Sequence, residues 1–202
     1  MIASGAEIRA GIEGALAILK REPAAMARFD LSLDGFFKSF TAMLLAAPAY
    51  ALLVLQRLAH EPVDLAGPLL FLLEALSYVL GWLAFPVAAA IVLRLLGQGR
   101  RFVPLVVAGN WAALLQVALL VGASLAALAL PEATGALLTT LAVLAALFYQ
   151  WLVIKTALEA PGGIAAGFVV LDIASSMLVS GLVDRFETWL AGMGAASTGF
   201  AS

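Results

Sequence analysis

PLLFLLEALSYVLGWLAFPVAAAIVL, Pro68 to Leu93, holds 26 residues and one charged side chain, Glu74. At a helical rise of 1.5 Å per residue, a bilayer core of about 30 Å needs roughly 20 apolar residues, so this stretch is long enough to cross. Pro86 lies inside it, which a membrane helix tolerates because neighbouring helices satisfy the freed carbonyl. Arg94 follows directly, and GQGRRF (Gly97 to Phe102) is the densest basic patch between apolar segments. An apolar run closed by arginines predicts a transmembrane helix with that end in the cytoplasm.

Composition agrees. Of 202 residues 64% are hydrophobic and 12% charged, with a mean hydropathy of +1.07. Soluble domains carry about 25% charged residues, so an integral membrane protein is expected. Cysteine is absent, which excludes disulfides, thiolate metal sites and cysteine nucleophiles. The single histidine, His60, is placed in a short loop and makes no multi-histidine metal site. Glu7 and Glu13 interrupt the N-terminal stretch, so no cleavable signal is expected.

Working outward, the chain reads as an N-terminal amphipathic segment (1–35), a five-span membrane domain (36–183) and a short tail (184–202). In residues 4–22, Ile8, Ile12, Ala15, Leu16 and Leu19 share one arc at about 100° per residue, with Glu7, Arg9, Glu13, Lys20 and Arg21 off it. Such a helix is expected to dock on the bundle, lie on the membrane surface or bind a partner. Pro23 ends it. Ser32 and Asp34 are candidate N-caps before a first span from about Phe36 to Leu58, where Lys38 is expected to snorkel and Pro48 to kink the helix. After LAHEPVDLAG comes the span quoted above, with the GQGRRF glycines suited to a C-cap. Pro104 opens a third span to about Leu130, and Thr134 to about Thr156 is the fourth, with Tyr149 and Trp151 at headgroup depth. Gly163 to about Val183 is the fifth, and the tail is expected to fray after Trp189.

Alternating spans put Arg9, Lys20, Arg21, Arg28, Lys38, Arg94, Arg100, Arg101 and Lys155 on one side and only Arg57 and Arg185 on the other. Nine against two predicts a cytoplasmic N-terminus and an external C-terminus.

The five spans, the amphipathic segment before them and the loop Gly97-Gln98-Gly99-Arg100-Arg101-Phe102 resemble the Yip family of membrane proteins. The small-apolar start of the next span, Val106 to Gly109, and the exit WLVIKTALEA are similar to that family's pattern, over about residues 36–183. The family's Asp-Leu-Tyr-Gly-Pro motif has no counterpart, and Gly109-Asn110 stands where the family has Gly-Tyr. The resemblance implies a five-helix fold, an adaptor-like role and, with this Ala-rich composition, a bacterial inner membrane protein. The trafficking role of the eukaryotic members is not carried over.

Two acids fall within spans, Glu74 and Asp172. Each costs roughly 2.5 kcal/mol or more on insertion, so each must face the interior, as a proton or ion relay or as an interhelical hydrogen-bond anchor. Glu74 lies about 9 Å below one boundary and Asp172 about 14 Å above the other, which keeps them apart in depth. Asn110, Gln116 and Gln150 are candidates for the same polar interior, where each hydrogen bond contributes about 0.6 kcal/mol. Arg100 and Arg101 are expected to contact lipid head groups at about 1 kcal/mol each. GQGRRF lacks P-loop and Rossmann spacing, so no nucleotide or other cofactor is expected, and no catalytic set, metal cluster or nucleic-acid surface is visible.

The leading expectation is a non-enzymatic scaffold or adaptor, or an accessory subunit, whose partners are lipids, other membrane proteins or further copies of itself. The alternative is a small transporter or channel using Glu74 and Asp172. An open polar route past both acids favours the second, a dry core the first.

Overall fold

The computed structural model describes residues 2–60 and 67–198. The expected connection through residues 61–66 lies outside them. Among the described residues the protein is all helical, a bundle of seven helices: α1 (Gly5–Leu19), α2 (Leu33–Ser39), α3 (Thr41–His60), α4 (Gly67–Leu95), α5 (Phe102–Ala127), α6 (Glu132–Leu158) and α7 (Gly162–Thr198). With α2 and α3 taken as one interrupted rod, five helices are long and apolar enough to cross a membrane.

Local chemistry sets the boundaries. Ser32 caps α2 by accepting the Gly35 N–H at 3.1 Å, while the other candidate cap, Asp34, sits in the first turn. Gly97, at φ +67°, ends α4. Its N–H donates to Arg94 at 3.1 Å and the Gln98 N–H to Leu93 at 2.7 Å, satisfying two carbonyls that the helix end would orphan. His60 is the last residue of α3 rather than a loop residue. α7 does not fray after Trp189 but continues to Thr198.

α5 is the hub, packing on α1, α2, α3, α4 and α6, and α7 closes the ring between α6 and α4. The dense core sits at the end where α5 begins and α6 finishes. Leu105, Val107, Val153 and Ile154 there are fully buried together with Ala15 and Ile18 of α1.

α1 docks as expected, but its buried face is shifted from the expected arc, of which Ala15 and Ile8 still pack on the core. Gly11, Gly14, Ala15, Ala17 and Ile18 turn inward, whereas Leu16 and Leu19 of the expected arc are exposed. The reason is shape. The Trp111 indole lies over Gly11 and the Phe29 ring over Gly14, so any Cβ at either position would overlap an aromatic ring. Large rings on the partner fill notches left by small residues on α1. The Tyr149 hydroxyl, expected at headgroup depth, is buried and donates to the Ala15 carbonyl at 2.7 Å.

Polar contacts fix the same joint. Ser4 and Glu7 form a capping box at the start of α1. Lys38 of α2, expected to snorkel, takes partners within the protein. Its ammonium pairs with Glu7 at 2.7 Å and Asp34 at 2.6 Å. Those bonds from Lys38, then those from Ser4, hold the Glu7 carboxyl down at about 2. Arg101, expected at lipid head groups, pairs with Glu159 in the α6–α7 turn and holds that carboxyl below its usual range, while Arg100 is exposed.

Candidate functional site

Polar side chains inside apolar helices must find partners or reach water, because an unpaired polar group in hydrocarbon costs several kcal/mol. At the dense end, Asn110 of α5 donates to Ser39 Oγ at 2.8 Å, and Ser39 donates to the Phe36 carbonyl at 2.7 Å. Ser39 and Asn110 are both buried.

Deeper along the bundle a second network crosses three helices. Gln116 Nε2 of α5 donates to the Ala146 carbonyl at 3.1 Å and to Gln150 Oε1 at 2.9 Å. Gln150 Nε2 in turn donates to Asp172 Oδ2 of α7 at 3.2 Å. Gln116, Gln150 and Asp172 are thus brought together, and Asn110 bonds elsewhere.

Beside this network lies a cavity of about 490 Å³, bounded by Asp172, Gln116, Gln150 and Asn110 and, on the α3–α4 side, by an aromatic cluster. Tyr50 and Tyr78 have ring centroids 4.5 Å apart, and Trp82 meets Tyr78 edge-on at 6.2 Å. The Tyr78 hydroxyl donates to the Met43 carbonyl at 2.6 Å, which anchors the cluster across the helix pair.

Toward the other end, where α3 finishes and α4 begins, a second cavity of about 280 Å³ adjoins the first. The two share Tyr50, Leu53, Ser77 and Ser180 as lining. Glu74 stands in the second, accepting from Tyr50 at 3.2 Å and paired with Arg57. Sequence reasoning placed Arg57 outside and gave Glu74 no base. It also missed Glu187, which lines this cavity with Asp184.

The signal for these residues was periodicity rather than charge. On α4, Glu74, Ser77, Tyr78, Gly81, Trp82 and Phe85 recur at helical spacing, and on α7 Asp172, Ser176, Ser180 and Glu187 do the same. Each stripe faces the cavities. At the dense end, Leu105 and Val106, which line the first cavity, are almost fully buried.

Among the described residues no group of three or more His, Cys, Asp or Glu is placed to hold a metal ion. No protein-family profile, curated protein or solved structure matches the chain.

Proposed function

We propose that this is an integral membrane protein of transport type, a small transporter or channel whose route passes Glu74 and Asp172. The observation that carries this reading is the pair of adjoining cavities. They set both acids along one largely apolar space that carries polar groups at intervals and runs from the start of α4 toward the tightly packed α1 end. The excess of Lys and Arg at the α1 end supports a cytoplasmic location for it, so the cavities open to the outside of a bacterial inner membrane.

A scaffold or adaptor role, which the Yip resemblance favours, is the second reading. It is supported by α7, whose Val170, Met177, Leu178 and Leu182 leave a long apolar face uncovered for lipid or a partner helix.

Ion or proton flux into proteoliposomes separates the two. Transport predicts flux in the wild type that Glu74→Gln and Asp172→Asn abolish while the protein stays folded, because an amide cannot release and rebind a proton. Absence of flux in the wild type would sink the transport reading and leave the scaffold.

A further inference from the structure

Glu187 differs from the other acids around the cavities in being buried without a partner among the described residues, whereas Asp184 is exposed. Asp172 accepts a bond from Gln150, and Glu74 has both Arg57 and Tyr50. Glu187 is 8% exposed, yet among the described residues it has no hydrogen bond or ion pair. No sealed side-chain oxygen among those residues lacks a partner, so the Glu187 carboxylate must touch open space, and the space beside it is the outer cavity. Arg57 is the nearby cation, and a buried carboxylate with no hydrogen bond or ion pair among the described residues is stabilised further by a cation that the cavity admits.

Among the described residues, four acids line the two cavities, Glu74, Asp172, Asp184 and Glu187, against one base, Arg57, which is already paired with Glu74. The inner wall offers Tyr50, Tyr78, Trp82 and Phe85. Aromatic faces attract large, weakly hydrated cations such as substituted ammonium groups, most strongly when desolvated. A small, strongly hydrated metal ion would instead require several converging oxygens. Cavities of about 490 and 280 Å³ in series match the size of small organic ligands.

We infer that the joined cavities take organic cations of the substituted-ammonium class, with Glu187 as the ion-pairing carboxylate at the entrance and Tyr50, Tyr78 and Trp82 as the aromatic wall. This names the substrate class of the transport route proposed above and rests on that reading for its direction of entry.

The test is equilibrium binding of radiolabelled tetraethylammonium to the full chain in lipid nanodiscs, with choline and its uncharged carbon isostere, 3,3-dimethylbutan-1-ol, as competitors. Saturable binding is expected, displaced by choline and not by the isostere. Glu187→Gln should weaken it about tenfold and Glu187→Asp less. Trp82→Leu, which keeps an apolar filler and removes the ring, should weaken it several-fold, and it serves as the second variant if Glu187→Gln unfolds. Displacement by the isostere as strong as by choline, wild-type affinity in folded Glu187→Gln, or no saturable binding would each overturn the inference. Uptake into proteoliposomes distinguishes the two proposals. Binding without uptake keeps the cation site and fells transport. Uptake of neutral or anionic solutes without tetraethylammonium binding keeps transport and overturns the cation site.

Discussion

At the α1 end, Ala15, Ile18, Leu105, Val107, Val153 and Ile154 are fully buried, aromatic rings sit directly over glycines, and a cavity of only about 100 Å³ is left beside Gly11 and Trp111. At the opposite end, Tyr50, Ser77 and Ser180 stand around space that no side chain fills. The same five rods run through both regions, so the difference lies in which residues each helix presents. Small residues facing large rings produce closure, whereas the hydroxyls, tyrosines and acids in register along the closely packed α4 and α7 line space toward α3 and α5. A membrane bundle held shut at one end can stay open at the other without losing its fold.

Glycine substitutions give the sharpest test. Gly11→Leu forces a side chain into the Trp111 indole, and overpacking of this kind should cost about 3 kcal/mol and release α1 to protease. Gly81→Ala lies on the cavity wall where a Cβ meets nothing within 4 Å, and helix propensity favours Ala by about 1 kcal/mol. Its melting temperature, followed by tryptophan fluorescence, should hold or rise. Equal losses in both variants would erase the contrast between the ends.

Tyr149→Phe removes one buried bond to the Ala15 carbonyl and keeps the ring, so stability should fall by about 1 kcal/mol in the same melt. A drop no larger than the noise would mean that packing alone holds α1 in place.

Much of this was legible from composition. Runs of more than about 20 apolar residues announce membrane helices whatever their partners. The cap at Ser32 and the stop at Gly97 follow from residue type alone, because each supplies what a helix end lacks. The face of α1 was not legible, since hydrophobic periodicity weights Leu16 and Leu19, whereas docking depends on where side chains are missing. The cavities were missed for a related cause. Glu74 and Asp172 stood out as charges, but Tyr50, Ser77, Ser180 and Glu187 acquire meaning only when α3, α4 and α7 are brought face to face.

The smallest expected effect is electrostatic. The bonds from Lys38 and Ser4 set the Glu7 carboxyl at about 2 against an ordinary 4.5. A depressed carboxyl favours the docked state fully above 4.5 and loses that contribution as pH falls toward 2, so protease access to α1 should rise across that window. In Glu7→Gln access should be modestly higher at neutral pH and flat through the window. Persistence of the acid transition in that variant would assign it to another group.

The length of α7 carries a consequence for the membrane around it. Its 37 residues extend about 55 Å, well beyond a hydrocarbon core of about 30 Å. Glu187 stands about 38 Å along α7 from Gly162, near the far edge of such a core. The helix must tilt or protrude, and hydrophobic mismatch decides which. In a thick bilayer Glu187 sinks toward the acyl chains, and in a thin one it rises into water. Under the proposed transport reading, lipid thickness then sets how readily solvent reaches the Glu187 carboxylate, without any change in the protein's own contacts.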